Sequence, residues 1–488
     1  MKLRLIFILL FIPLCINAQS DSPLRLELEC DKDQTKYQIS NVHENGIVIT
    51  YFNSMSNLDT ATWMILCYDT NLVRQNGYKI KIPGRTSYVN SYYTGDYIYI
   101  LFQKLQSKKE LPKWYVAALD FNTKMVDVFE VFIEMEAVTY MKAVNDYLFF
   151  VANEDKYKDF CYYRISEKKQ EKLEMIDEKL SSIEFFEIDS AQHTLFLGVA
   201  FAEKKSSRVN IFRLMAVNYL TTQVYTFDFP NYSDYVYMSA RLAPTGSGNA
   251  IIIGTYNNLQ EKRIGNLHSG VFTLPFTNGN LGDPNFYSYS AIKTKDTESL
   301  NRVQNNNLNI QLLVGNLYSN GQQYVLVTEQ FYPEYSQSTT QHVGYYSTSY
   351  PTVVFTGYRF TNGYITSFDS DGKLLWDNYF PFNNILTQSL YTHINVYVDK
   401  FNYGYLYYPF ANTITSTLIK NYDVIEPIYT QDIETSFKTD AVEYGHGTEI
   451  ERWHNNYFYI SGYQYIRDLK SKNKRFVFFV NKIVYQID

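Results

Sequence analysis

The chain has 488 residues, with 19% charged, 17% aromatic (47 Tyr, 33 Phe and 4 Trp), 22 Gly, 13 Pro and a formal charge of −6. So few charges beside so much apolar side chain exclude intrinsic disorder, and the Gly and Pro counts exclude collagen-like chains. The mildly acidic balance argues against nucleic acid, whose binding needs Lys and Arg to neutralise phosphates.

Taken in chain order, Lys2 and Arg4 precede an apolar run from Leu5 to Ile16, and Ala18 follows. A charged start, a short apolar core and a small residue make a secretory signal peptide, expected over residues 1–18. The run is shorter than the roughly 20 residues a membrane-crossing helix needs, and no later stretch reaches that length either. Cleavage removes Lys2 and Arg4 and moves the charge from −6 to −8. Leu14 stands before Cys15 where a lipidation motif wants a small residue, which argues against an anchor there. Cys30, Cys67 and Cys161 remain, an odd number that allows one disulfide at most. They are expected in strands, as small hydrophobes.

From residue 46 onward the chain alternates short apolar strands and polar turns. One kind of strand follows a turn: Gly46-Ile-Val-Ile-Thr-Tyr-Phe, Asp96-Tyr-Ile-Tyr-Ile-Leu-Phe, Asp146-Tyr-Leu-Phe-Phe-Val, Asn249-Ala-Ile-Ile-Ile-Gly and Asn456-Tyr-Phe-Tyr-Ile-Ser-Gly. The other kind runs into a turn, as in Trp63 to Asp69, Trp114 to Asp120, Phe160 to Ile165 and Gly363 to Asp369. The turns fall near 69, 120, 166, 219, 277, 370, 422 and 481, and only the interval of 93 between 277 and 370 breaks the period. Four-stranded units of about 40–50 residues are the signature of a β-propeller. The fold expected is all-β, one propeller domain over 19–488 with seven or eight four-stranded blades, eight by the count of turns. Glu167 to Leu180 has helix-forming residues without a helical face, and reads as a charged outer blade edge.

One turn carries a family resemblance. Phe368-Asp-Ser-Asp-Gly-Lys-Leu-Leu-Trp376 resembles the blade motif of quinoprotein-like (PQQ-like) propellers, and Leu119-Asp-Phe-Asn-Thr-Lys124 is a weaker echo. The resemblance implies a Trp docked between neighbouring blades; it covers one blade well and brings no cofactor site. The chain is also similar to uncharacterised propeller-like proteins exported by bacteria, which implies no activity.

The long interval contains Phe331-Tyr-Pro-Glu-Tyr-Ser-Gln-Ser-Thr-Thr-Gln-His342 and Val343-Gly-Tyr-Tyr-Ser-Thr-Ser-Tyr-Pro351. Tyr offers a flat apolar face and a hydroxyl at low entropic cost, which suits sugars or peptides. An aromatic, Ser/Thr-rich insertion at about 331–352 is therefore the expected binding site, through Tyr332, Tyr335, Tyr345, Tyr346 and Tyr350. A mobile or locally packed insertion is the competing expectation.

His446, Glu449, Glu451 and His454 hold four potential ligands within nine residues, but their spacing fits no familiar zinc pattern. An inner blade strand and its loop explain them, with Glu449 and Glu451 on one face. Asp369, Asp371 and Gly372 begin like a calcium loop, yet Lys373 and Leu374 follow where oxygen ligands belong, so a turn explains them. No metal and no cofactor is expected. Nucleophile motifs are absent: there is no Gly-x-Ser-x-Gly, and Thr245-Gly-Ser-Gly248 lacks the Lys of a phosphate loop.

These readings favour an exported, non-catalytic propeller that binds a cell-envelope protein or glycan, or serves as a scaffold in a larger envelope assembly. With no sorting tail expected after Tyr485, a periplasmic or outer-membrane-associated place is preferred to free secretion. The alternative is a propeller-fold glycoside hydrolase or polysaccharide lyase, for which two well-placed carboxylates in the central funnel would be enough.

Overall fold

The computed structural model describes residues 24–484 apart from 31–35, 57–59, 105, 107–109, 155–156, 173–179, 203–209, 261–267, 289–310, 341–349 and 456. Eight antiparallel sheets, each with a four-stranded path, are the eight blades of a β-propeller. Blade 1 comprises Tyr37–Asn41, Ile47–Ser56, Thr60–Tyr68 and Arg74–Pro83, and blade 2 Thr86–Tyr93, Tyr97–Lys104, Lys113–Asp120 and Val126–Val131. Blade 3 comprises Tyr140–Val144, Tyr147–Glu154, Tyr157–Arg164 and Lys169–Lys172, and blade 4 Leu180–Asp189, Thr194–Ala202, Asn210–Asn218 and Gln223–Asp228. Blade 5 runs Tyr235–Gly246, Asn249–Asn258, Gly270–Thr277 and Asn280–Leu281, with Asn285–Ser288 as an extra partner of its third strand. Blade 6 runs Gln311–Ser319, Tyr324–Thr340, Tyr350–Phe368 and Leu374–Thr387, and blade 7 Asn395–Val398, Tyr403–Phe410, Thr413–Lys420 and Asp423–Asp432. Blade 8 takes Asp440–Arg452, Tyr457–Asp468 and Lys474–Val484 from the end of the chain and Arg25–Glu29 from its beginning.

Period-two alternation explains why these segments stack as blades. In the second strand of blade 2, Ile98, Ile100 and Phe102 join the core shared with blade 1, while Tyr99 and Leu101 join the core shared with blade 3. Blade 3 repeats this with Leu148, Phe150 and Ala152 on one side and Tyr147, Phe149 and Val151 on the other. A strand buried on both faces is apolar at every position, which is why it stands out in the sequence. Eight apolar clusters result, one at each blade interface, the last joining blade 8 to blade 1 through Trp453, Tyr459, Ile47 and Ile49. The ring is closed.

Closure rests on the first strand, paired from Arg25↔Asn481 to Glu29↔Val477. Arg475 holds Asp440 through Nη1–Oδ1 at 2.9 Å and Nη2–Oδ2 at 2.6 Å, and its Nη2 reaches Glu27 at 3.1 Å. Arg25, almost fully buried, donates to Glu27 at 2.7 Å and to Gln464 at 2.7 Å. One charge network thus ties three strands of blade 8 together, and burial pulls the Arg25 guanidinium below its usual value against the pull of Glu27.

Seven of the eight anticipated turns join the third and fourth strands of a blade. The eighth, near 481, lies inside the strand Lys474–Val484, because the fourth strand of blade 8 comes from the other end of the chain. The interval of 93 also has two sources: residues 281–310 between the turn of blade 5 and the start of blade 6, and the unusual length of the blade 6 strands. Of the insertion expected at 331–352, residues 331–340 and 350–352 belong to two paired strands of 17 and 19 residues, and 341–349 lie outside the described residues. In the region read as a charged edge, Lys169–Lys172 is the outermost strand of blade 3, and 173–179 lie outside the described residues.

Cys67 and Cys161 sit in third strands and pack into blade interfaces, and Cys30 follows the closing strand; no disulfide joins the three. In the Asp369 turn, the carboxylate accepts the backbone N–H of Asp371 at 3.0 Å and of Lys373 at 2.8 Å. Gly372 adopts φ +80°, where a side chain would be strained and a Cβ would meet Thr273 at 2.5 Å. Trp376 is buried between blades 6 and 7, its indole N–H donating to Gln323 at 2.8 Å.

Candidate functional site: a polar channel and a projecting hairpin

The innermost strands of successive blades approach one another around a central channel. Polar groups join all eight. Ser40 and Ser91 meet at 2.6 Å, Asn90 donates to the Thr139 carbonyl at 3.5 Å, and Lys142 pairs with Glu187 at 2.6 Å. Glu184 accepts from Ser239 at 3.0 Å, Arg241 donates to the Val314 carbonyl at 3.0 Å, and Tyr318 meets the backbone of Val396. Arg452 lies 4.0 Å over the Tyr397 ring, and Asn41 donates to the Arg452 carbonyl at 2.6 Å.

Glu449 and Glu451 enter this channel from the innermost strand of blade 8. Strand alternation sends Ile450 between them into the apolar core with blade 7 and leaves both carboxylates on the other face. Glu451 acts electrostatically on Tyr88 of blade 2 and on Tyr318 of blade 6, which stand on opposite sides of an eight-bladed ring. Only a side chain near the axis can do both. Both carboxylates are accessible to water yet enclosed by protein on most sides, as expected of channel-lining groups. Enclosure raises the Glu449 pKa. It also raises that of Glu451, and the Glu449 charge adds to the shift while a 2.5 Å hydrogen bond from the Tyr459 hydroxyl opposes it. Burial pushes the Tyr318 hydroxyl up to about 12, against hydrogen bonds that favour its ionised form. The result is two elevated carboxyls among tyrosine hydroxyls, able to hold or donate a proton or to accept hydrogen bonds from a polar ligand.

The two imidazoles of the same segment do not join the carboxylates. His446 stacks on Tyr463 at 5.3 Å and Phe476 at 5.8 Å, and His454 lies against Trp453 and Tyr457. Among the described residues no group of three or more His, Cys, Asp or Glu is arranged to hold a metal.

A buried pair absent from the sequence reading lies between blades 6 and 7. Glu329 is fully buried and accepts the backbone N–H of His393 and Ile394, each at 2.7 Å, and pairs with His393 Nδ1 at 3.0 Å. Phe360 and Tyr391 flank the imidazole at 4.3 and 4.6 Å. Sixty-four residues separate the partners, so no local motif could reveal them. The pair pins the connection from blade 6 to blade 7.

The long hairpin of blade 6 projects at the end of the ring where the blade-to-blade connections lie, since turns between second and third strands share that end. Its base is clamped by Glu334 and Arg359, with Arg359 Nη2 at 2.9 Å from Glu334 Oε1. Tyr332 is half-buried there, and burial raises its hydroxyl pKa. Tyr335 is 59% exposed and meets Phe355 across the hairpin at 5.7 Å. Val353 and Val354, 65% and 47% exposed, extend the apolar surface, and neither was among the residues expected from sequence. Tyr350 opens the returning strand. Tyr345 and Tyr346 lie outside the described residues, as does the Tyr350 side chain.

No protein-family model and no curated protein matches the chain. Among solved structures it is similar to the β-propeller domain of the Trilobed protease from Pyrococcus furiosus, with 7% identity over 80% of this chain and 93% of that one and a TM-score of 0.38. It is also similar to the polysaccharide lyase Uly1 (9% identity, 80% and 89% covered, TM-score 0.39) and to an oligogalacturonate lyase in complex with manganese (8%, 95% and 98%, 0.38). These are distant likenesses, and the blade count rests on strand pairing itself.

Proposed function

We propose that the chain is an exported, non-catalytic binding protein or scaffold of the bacterial cell envelope, which grips a protein or glycan with the blade 6 hairpin. One observation carries this reading: a clamped, two-stranded arm projects from the ring and exposes Tyr335, Val353, Val354 and Phe355, where a soluble protein gains nothing by displaying them. The signal-peptide pattern over 1–18 and the acidic mature chain support the compartment. The quinoprotein-like turn stays a feature of blade 6 and brings no cofactor into the proposal.

The hairpin gives a direct test. Tyr335 and Phe355 face each other in register, so replacing 336–354 by Asn-Gly shortens the arm without disturbing the blade. With Tyr335→Ser added, binding to a glycan array and to purified cell walls is expected to vanish while the melting temperature holds. Retained binding would exclude the arm.

Glu449 and Glu451 favour a second reading, hydrolysis or lyase cleavage of a glycan threaded into the channel, because their raised pKa values suit a general acid. Turnover on a polysaccharide panel that disappears in Glu449→Gln and Glu451→Gln chains would replace the first reading by this one.

A further inference from the structure

We propose that the outer edge of blade 7 is a docking strand for an extended, basic and apolar segment of a partner protein. This surface is separate from the blade 6 arm and does not depend on what that arm binds. Its strand, Asp423–Asp432, is the last of its sheet and pairs on one side only, with Thr413–Lys420. All ten of its residues are exposed. Val424, Ile425, Ile428 and Tyr429, together with Tyr422 before them, are between 45% and 63% exposed. Single apolar residues on a surface need no account, but five within eight positions on an open sheet edge do.

Natural sheet edges are blunted with charged residues, Lys above all, and with Pro or bulges. Residues 421–437 carry Asp423, Glu426, Asp432 and Glu434 and no Lys or Arg. Register irregularities on both sides of Glu426, next to Pro427, interrupt the edge and leave 429–432 as a regular run. Charge decides the occupant. A second copy added antiparallel over the whole strand would set Asp423 against Asp432 at both ends, and a nucleic acid or an anionic membrane would be repelled as well. A strand alternating Lys or Arg with aliphatic residues matches the edge in backbone hydrogen bonds, charge and apolar side chains at once.

Fluorescence anisotropy on the unmodified chain with a ten-residue peptide alternating Lys and Val is the test. Binding is expected to weaken with salt. It should fall about tenfold when Asp423→Lys, Glu426→Lys and Asp432→Lys are combined. A peptide N-methylated at alternate residues keeps the charge and loses the ladder, and should fail to bind. Hydrogen exchange of 429–432 in the unmodified chain should slow on adding the Lys/Val peptide, which needs no variant to fold. Equal binding of the N-methylated peptide, or indifference to charge reversal, would overturn the proposal. So would a sedimenting dimer that Ile428→Ser abolishes, since a second copy would then cover the edge.

Discussion

Glu451 shows how one ionisable side chain records its place in the ring. Its carboxyl sits in enclosed space beside Glu449, so ionisation is disfavoured and its pKa is raised. A raised acid contributes stability that is fully present below the unfolded Glu value, about 4.3, and is lost as pH rises through the folded value. Glu451→Gln removes the ionisation and keeps an acceptor for Tyr459. The variant should therefore be more stable than the parent at pH 7.5, by no more than about 1 kcal/mol because channel water screens the charge. The difference should close near pH 4, as urea titrations at the two pH values would show; equal destabilisation at both would mean that the carboxylate supports the fold. Alternation alone revealed that Glu449 and Glu451 share a face, because a strand's period is fixed by its backbone. Glu329 and His393 were invisible, because their meeting depends on how blade 6 stacks on blade 7.

At the scale of the strand, legibility follows burial. The segments that stood out, such as Tyr97–Lys104 and Trp63 within Thr60–Tyr68, are second and third strands enclosed by neighbours on both faces. Innermost strands face a polar channel and outermost ones face solvent, so Asp440–Arg452 and Asp423–Asp432 mix charge with apolar residues and give no clean period. The length of the blade 6 hairpin was hidden for a related reason: Ser, Thr and Gln on a projecting strand look like a loop. The closing strand is the element most open to experiment. Arg475 binds Glu27 and Asp440, whose side chains are 15% and 1% exposed. Removing one partner of a largely buried network leaves charges uncompensated, so Arg475→Met should cost about 2–3 kcal/mol. Hydrogen exchange should quicken first in 25–29. Loss spread evenly over all blades would argue against a local clasp.

For the molecule as a whole, the number eight was reached through turns of which one was misplaced, and the count held because the missing fourth strand is supplied by the opposite end of the chain. Neither arithmetic nor motif could show that. The pairing Arg25↔Asn481 also brings residues 24 and 484 to one edge of blade 8. A permuted chain that joins these ends by a short linker and opens at the exposed 221–222 turn should melt no lower than the parent. Opening there makes Asn210–Asn218 and Gln223–Asp228 the pair that must meet from opposite ends of the chain, so if closure by a terminal strand is the slow step, refolding should proceed at a similar rate. A permutant that refolds much faster or much slower would place the slow step elsewhere.

The closing strand also sets a schedule. Arg25 leaves the ribosome 456 residues before Asn481, its partner; at about 5–20 residues per second that is a wait of roughly 20–90 seconds. For that time the first strand has no mate, and seven blades can stack while the ring remains a C-shaped arc with two open apolar flanks. The last hairpin to be made must find the first strand and shut both flanks in one event. Any helper that shields exposed strands during synthesis has its task defined by that gap, and a ribosome stalled before residue 474 would release an arc that cannot close.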